Sequence, residues 1–316
     1  MEIGLHDAGD RRAERRIRQA GRRPLIISAS YRTDLPAFHG PRFLGQLDAG
    51  LATVRNPYSG KDYRVSLAPD DVDGFIFWTR NAKPFRAGLA RARKTAPFIV
   101  QYTVTGYPAM LETGVPPAAH AIAEIRRIVS DHGPGTVVWR YDPVIWTNLT
   151  DADFHRRNFA QMADRLSGLV DEVTFSAATL YAKSKRNLKR HAAGLAVDDP
   201  DDNRKKALLH ELAEMAVERG MAPTLCSQPH LLTGPLKPAR CVDAERLQRV
   251  GGSRFRAKAK GNRPGCDCAE SRDIGTYDSC AHGCLYCYAV SDHAKVRERL
   301  RAATSSAPVQ SGPAFD

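Results

Sequence analysis

The sequence predicts an α/β fold: a full or partial TIM-like (β/α) barrel. Three observations point there. Short β-rich runs alternate with helical patterns through most of the 316 residues, and strand, helix, strand in succession argues a parallel sheet. No GxGxxG string follows a strand, so the main signature of an open doubly wound sheet is missing. Polar residues crowd where the strands should end, which is where βα barrels place their catalytic groups.

The β-rich runs are Pro24–Ser30, Leu51–Asn56 with Tyr63–Leu67, Gly74–Arg80, Pro97–Thr105, Thr136–Tyr141, Glu172–Ala177 and Pro223–Ser227. Helical patterns lie between them at 41–49, 83–94, 118–131, 151–168 and 204–219. Ala118, Ile122, Ile125 and Val129 recur at helical spacing, with Glu124, Arg126 and Arg127 off that stripe. Asp151 and Gly220 supply a helix start and a helix stop. Leu51–Leu67, with Asn-Pro-Tyr-Ser-Gly at its centre, reads as a hairpin inserted into the βα pattern. Residues 24–301 are expected to form one barrel domain, with a polar, Arg-rich arm at 1–23 and a disordered tail at 302–316.

The strand ends share one character. The first run leads into Ser-Ala-Ser-Tyr-Arg-Thr-Asp (28–34), the third ends Trp-Thr-Arg-Asn (78–81), and the fourth holds Gln-Tyr-Thr (101–103). The fifth ends Trp-Arg-Tyr-Asp-Pro (139–143) and the sixth Thr-Phe-Ser (174–176). Five polar ends, four of them carrying Arg, Asp, Asn or Gln beside aromatics, point to a shared pocket. The lone histidines His39, His120, His132 and His155 read as structural or surface residues.

At 42% hydrophobic and 26% charged, the composition excludes a collagen-like or wholly disordered chain. No window approaches the roughly 18 apolar residues of a membrane span. The first 23 residues have no apolar core of the signal-peptide kind, so a cytoplasmic location is expected, where clustered cysteines bind metal more often than they pair. GxSxG, HExxH and P-loop strings are absent, leaving hydrolase and NTPase readings without support. The net charge of +12 favours polyanionic partners. Arg254, Arg256, Lys258, Lys260 and Arg263 lie in one stretch without an acid, and Lys183–Arg190 carries five more cations.

The sharpest signal is Cys280-Ala-His-Gly-Cys284-Leu-Tyr-Cys287-Tyr, a CxxxCxxC spacing with an aromatic before the last cysteine. Three thiolates on one tight loop can hold three irons of a 4Fe–4S cubane and leave the fourth iron open. That arrangement resembles the cluster loop of radical S-adenosylmethionine enzymes, in which the open iron chelates the cofactor's methionine moiety. Zinc is the alternative, but it wants four ligands, and His282 sits on too short a loop to join all three cysteines. Four cysteines remain: Cys226, Cys241, Cys266 and Cys268. They are candidates for a second metal site, either zinc or a fully ligated Fe–S cluster, and the spacing does not choose between them. Cys226 and Cys241 also fit ordinary core positions.

Separate blocks of the chain resemble the bacterial domain-of-unknown-function family 1848. They are Ile-Ile-Ser-Ala-Ser-Tyr-Arg-Thr-Asp-Leu-Pro-Ala-Phe (26–38), Val-Arg-Asn-Pro (54–57), Phe-Trp-Thr-Arg-Asn-Ala-Lys-Pro (77–84), Thr-Val-Thr-Gly-Tyr (103–107), Trp-Arg-Tyr-Asp-Pro (139–143) and the segment 273–289. The loop Cys-x-His-Gly-Cys-x-Tyr-Cys-Tyr-Ala is also similar, locally, to that of the spore photoproduct lyase-related branch. In ordinary radical S-adenosylmethionine domains this loop follows the first barrel strand, whereas here it lies near the end of the sequence. The resemblance therefore implies a circular permutation, in which a strand at Asp273–Ser279 closes beside Pro24–Ser30 and a helix runs through Val296–Arg301.

On this reading Cys280, Cys284 and Cys287 hold the catalytic cluster, and Tyr286 is the candidate contact to the cofactor's adenine. Arg32, Arg80 and Arg140 are candidates for binding a carboxylate or a substrate phosphate. Asp34 and Asp142 are candidates for ribose hydroxyls or for orienting those arginines. Asn81, Gln101 and Thr103 offer hydrogen bonds, and Trp78 offers a pocket wall. The implied activity is hydrogen abstraction by a 5′-deoxyadenosyl radical from an unidentified substrate, nucleic acid being one candidate, with flavodoxin or ferredoxin as reductant. The competing reading is a non-catalytic zinc- or Fe–S-stabilised nucleic-acid-binding protein.

Overall fold

Leu-Ile-Ile-Ser-Ala, Gly-Phe-Ile-Phe-Trp-Thr and Phe-Ile-Val-Gln-Tyr-Thr are continuous apolar runs, the pattern of strands buried on both faces. In the computed structural model, which describes residues 25–191 and 194–305, they are neighbouring strands of one parallel sheet. In chain order the described elements are β1 (Ile26–Ala29), α1 (Leu35–Phe38), α2 (Gly40–Asp48), β2 (Leu51–Arg55), β3 (Asp62–Ser66), β4 (Gly74–Thr79), α3 (Arg86–Thr95) and β5 (Phe98–Thr103). There follow α4 (Ala118–His132), β6 (Val137–Val144), β7 (Trp146–Thr147), α5 (Ala152–Leu166), β8 (Glu172–Ala177), α6 (Ala182–His191), β9 (Val197–Asp198) and α7 (Asp202–Glu218). The chain ends with β10 (Ala222–Leu225), β11 (Lys237–Pro238), α8 (Ala244–Gly251), β12 (Ser271–Asp273) and α9 (His293–Ser305).

Eight strands form the main sheet, in the order β11-β10-β8-β6-β5-β4-β1-β12, and every pairing in it is parallel. The last strand therefore lies beside the first, with Ile26 opposite Ser271 and Ser28 opposite Asp273. Among the described residues β11 and β12 stand at the two edges and do not pair with each other. The fold is thus α/β on a large parallel sheet.

The two faces of that sheet have different cores. On one, Phe75, Phe77, Phe98, Val100, Trp139, Tyr141, Val173 and Phe175 pack against the apolar stripes of α2, α3, α4, α5 and α7. Phe43 of α2 meets Phe75, Phe77 and Phe85 edge-to-face at 5.6–5.7 Å, each pair adding about 0.5–1.5 kcal/mol to its burial. His155 is buried here too, its ring nitrogens bonded to the Tyr141 hydroxyl and the Ile145 carbonyl, a structural residue as expected.

The opposite face carries the alternate residues of the same strands. At its N-terminal end it is apolar, with Ile26, Ile76, Ile99 and Val138 packed against Leu247 of α8, and Gly74 leaves the space that the Leu247 methyls fill. One layer up stand Ser28, Trp78, Gln101 and Arg140. At the C-terminal ends it is fully polar. Most of the helices pack on the first face, while α8 covers only the N-terminal end of this one, which leaves its polar C-terminal end to build a site.

Most expected elements stand within a few residues of their predicted bounds. The Leu51–Leu67 hairpin is β2–β3, its turn held by Asn56, whose side chain accepts from the backbone of Tyr58 and Ser59. Asp151 caps α5, accepting from Phe154 N at 2.8 Å. Three differences have physical causes. The strand expected at Asp273–Ser279 is Ser271–Asp273 instead, because the Asp273 carboxylate accepts from Gly275 N and Tyr31 N and turns the chain off the sheet. The basic run at 183–190 is the helix α6, whose buried face of Ser184, Asn187 and Leu188 offers only one large apolar residue as a stripe. The segment expected as a tail from 302 begins inside α9, which continues to Ser305. The arm at 1–23 and the rest of the tail lie outside the described residues.

Candidate metal and active site

The cysteine loop docks at the C-terminal ends of the strands, held by three separate elements. The backbone of the loop after β5 pairs with it, Gly114 N donating to His282 O at 2.7 Å and Leu285 N to Leu111 O at 3.0 Å. From α6, Ser184 Oγ donates to Tyr286 O at 2.9 Å and Asn187 Nδ2 to Val290 O at 3.1 Å. From the β1–α1 region, Asp34 accepts from His282 Nε2 at 2.7 Å. The other ring nitrogen of His282 bonds Gly114 O at 3.1 Å. Both nitrogens are engaged, so His282 anchors the loop, in agreement with its exclusion as a fourth metal ligand. Gly283 has φ +71°, and a Cβ there would stand 2.2 Å from Thr113 Oγ1, so this position of the loop takes only glycine.

Cys280, Cys284 and Cys287 lie within charge-interaction range of one another on the docked loop. They act on each other through charge, and no sulfur–sulfur hydrogen bond joins them among the described contacts. Burial pushes Cys280 up to about 12 and raises Cys284 and Cys287 as well, so the metal-free thiols stay protonated at neutral pH. The Arg80 guanidinium works against that rise at Cys284 and Cys287. Metal ligation removes the thiol protons outright.

Arg80 is the keystone of this corner. Its Nη1 donates to Glu112 Oε1 at 2.8 Å and Thr105 Oγ1 at 3.1 Å, and its Nη2 to the Tyr286 hydroxyl at 2.7 Å. Tyr286 in turn donates to Glu112, and its ring lies 6.1 Å from that of Tyr107. Arg80 is thus satisfied within the protein rather than waiting for an anion. The Tyr286 hydroxyl is likewise committed inward and its carbonyl accepts from Ser184, so its ring is what remains to meet a ligand. Asp34 caps α1 through Ala37 N and accepts from Arg80 N at 2.7 Å, which makes it a brace between strand ends. Glu112 carried no recognisable spacing in the sequence; only the fold brings it to the cysteine loop.

A second constellation forms beside the first. Arg140 Nη1 donates to Cys241 Sγ at 2.9 Å and to Gln101 Oε1 at 3.2 Å, and Gln101 Nε2 holds Cys241 O at 2.9 Å. Asp142 grips the other edge of the Arg140 guanidinium and accepts from Ser176. Trp78 closes the layer, with the Arg140 guanidinium 5.0 Å from its ring and its Nε1 bonded to Ser28 Oγ at 3.0 Å. Cys226 lies 3.8 Å from Cys241, sulfur to sulfur. Cys268 lies beside Cys241 and Cys266, close enough to shift both thiols, and Val242 N donates to Cys268 Sγ at 3.3 Å. All four remaining cysteines therefore meet. The neighbouring Cys268 lowers the Cys266 thiol to about 6. Among the described residues, no three His, Cys, Asp or Glu side chains enclose one point closely enough to hold a metal ion as they stand.

Arg32 behaves differently from the other two arginines. Its guanidinium lies between the rings of Tyr31 and Tyr277, 5.6 and 5.5 Å from their centroids, with Nε 3.7 Å from Asp273. Its Nε and Nη1 have no hydrogen-bond partner among the described residues. Two expected residues fall outside both groups. Asn81 turns into its own loop, accepting from Lys83 N at 3.2 Å, and Thr103 makes no contact with either set of thiols among the described interactions.

No functionally curated protein matches the chain. The solved structures similar to it at a low level include these three. One is a candidate alpha-L-fucosidase from Bacteroides thetaiotaomicron VPI-5482 (12% identity, 96% of this chain and 92% of that one, TM-score 0.32). The others are two structures of the pneumococcal exo-beta-D-N-acetylglucosaminidase StrH (14% identity, 68% and 56% covered, TM-score 0.25; 12% identity, 95% and 91% covered, TM-score 0.28). Likeness at these scores carries no argument about fold or activity. A family model does match, over residues 26–289, which takes in β1, both cysteine groups and the strand ends between them; the chain belongs to the family described as Domain of unknown function (DUF1848).

Proposed function

We propose that the chain is a radical S-adenosylmethionine-type enzyme built on a circularly permuted (β/α) barrel, with Cys280, Cys284 and Cys287 holding a 4Fe–4S cluster. When bound, the cluster supplies an electron from an external reductant for cleavage of S-adenosylmethionine to methionine and a 5′-deoxyadenosyl radical, which takes a hydrogen atom from the substrate. The observation that carries the reading is the position of the loop. The strand leading into it, β12, pairs with β1, and the loop is anchored on the polar ends of the parallel strands through Asp34, Arg80 and Glu112. A permuted barrel puts its cysteine loop there, although the loop comes last in sequence.

The donor set fits the group. Three thiols of one loop lie within charge-interaction range of one another, and the Arg80 cation acts on two of them to offset thiolate charge. Arg80, Glu112 and Tyr286 lock the loop so that the thiols do not wander. Arg32, with free donors beside Tyr31 and Tyr277, is the residue fitted to receive a carboxylate or phosphate. Tyr288 and Tyr181 are exposed near the loop, their rings 6.1 Å apart, and Lys185, Arg186, Lys189 and Arg190 line the outside of α6. That basic and aromatic rim supports a polyanionic substrate, nucleic acid included. No helix among the described residues is long and apolar enough to cross a membrane.

The test is iron and sulfide per chain after anaerobic reconstitution, with the electron paramagnetic resonance spectrum of the reduced protein recorded before and after adding S-adenosylmethionine. A cluster signal that shifts with the cofactor is expected. Zinc without iron in the loop, or a cluster indifferent to the cofactor, overturns the reading and leaves a metal-stabilised nucleic-acid-binding protein.

A further inference from the structure

Cys226 follows β10 and Cys241 follows β11, at one edge of the sheet. Cys266 and Cys268 precede β12, at the other. We infer that these four thiols form a tetrahedral zinc site, separate from the Cys280–Cys287 loop, that ties the two unpaired edges of the sheet together.

Spacing is the first argument. Four thiolates about 2.3 Å from a central zinc stand about 3.8 Å apart along the edges of the tetrahedron. Cys226 and Cys241 are 3.8 Å apart, the tetrahedral edge, and Cys268 lies beside both Cys241 and Cys266. A polynuclear cluster places an iron behind each thiolate and forces the sulfurs apart; contact spacing suits one ion. Charge is the second. Four thiolates around a divalent zinc leave two negative charges. Two arginines donate directly to the sulfurs, Arg140 to Cys241 at 2.9 Å and Arg263 to Cys226 at 3.3 Å, and a backbone N–H serves Cys268. Such partners orient ligands and offset their charge.

The third argument is what the site joins. The segment after β11 is joined to the segment before β12 by the backbone bond from Ala269 N to Val242 O. Their side chains Ala239, Cys241, Val242 and Cys268 pack on Ile26, Ile76, Ile99 and Val138. This core is smaller than that of the helical face, and a metal whose binding is folding energy would add a tie across it. As they stand the thiols do not enclose one point, so closing the tetrahedron on zinc takes side-chain rotation, for which Cys266, half-exposed on the turn after Gly265, has room.

The test measures zinc and iron together in the full chain carrying Cys280→Ala, Cys284→Ala and Cys287→Ala. One zinc per chain, retained without iron, is the expected result; a folded variant that carries no zinc, or iron with a cluster spectrum in its place, overturns the inference. Because the loop thiols are gone, this outcome is independent of whether the loop holds a catalytic cluster. The single variant Cys266→Ser leaves the buried thiols untouched and reads the same site if the triple variant does not fold. Its zinc affinity, by competition with a chromophoric chelator, is expected to fall at least about tenfold; unchanged affinity overturns the inference.

Discussion

Cys280, Cys284 and Cys287 feel one another only through charge, while Cys226, Cys241, Cys266 and Cys268 stand thiol beside thiol. Both groups sit at the same end of one parallel sheet, and each has an arginine from a strand end beside it. Arg80 does not donate to a sulfur: it binds Glu112, Thr105 and Tyr286 and fixes the loop that carries the thiols. Arg140 donates to Cys241 itself. The first arrangement leaves space between the thiols and holds the walls; the second fills the space. The same residue types thus make a room in one place and a rivet in the other, and the difference is set by what the arginine touches.

The largest test of that contrast removes each arginine in turn. Arg80→Met leaves the buried Glu112 carboxylate, its side chain 3% exposed, without a cation, a loss on the order of 3–5 kcal/mol. Arg140→Met strands Asp142, which is 20% exposed and keeps Ser176, so its loss is smaller. Denaturant melts of the two variants give the order, and Arg80→Met with Glu112→Gln recovers much of the first loss. Equal losses, or no recovery, break the comparison.

A second test uses the thiols themselves. In the metal-free chain Cys266 is a thiolate at pH 7.5, being held near 6 by Cys268, while burial keeps Cys280 protonated up to about 12. Iodoacetamide followed by peptide mapping is expected to label Cys266 at least about tenfold faster than Cys280, even after allowing for the weaker nucleophilicity of a low-pKa thiolate. Loss of that preference as pH falls below 6 gives the sign; comparable rates at pH 7.5 would show that the two groups are not distinguished by their surroundings.

The smallest effect belongs to Tyr286→Phe. It deletes one hydroxyl from the Arg80–Glu112 corner but leaves Arg80, Glu112 and Thr105 bonded to one another, so the expected loss is about 1 kcal/mol. A loss several times larger would mean that the hydroxyl, rather than the guanidinium, holds the loop.

Much of the frame was legible in the sequence because it rests on local pattern. Phe98–Thr103 is apolar on both faces and must be a buried strand; Ala118–His132 repeats its apolar residues at helical spacing and must be an amphipathic helix. The CxxxCxxC loop is equally local. Other features were not legible for equally physical reasons. The sequence offered Arg32, Arg80 and Arg140 as equivalent anion binders. In the fold, Glu112 and Asp142 consume two of them, and only Arg32 keeps free donors.

What the sequence alone determined was the set of periodic elements, the family and the chemistry available at each strand end, since side-chain type and spacing are properties of the chain. Which groups meet was decided by tertiary structure. Ser30 and Asp273 are 243 positions apart yet hydrogen-bonded, and Glu112 reaches Tyr286 across 174. No periodicity spans such intervals. Strand β12 is steered to the edge of β1 by backbone pairing, and with it come the cysteines on both sides, so the neighbours of every thiol follow from sheet order rather than from sequence order.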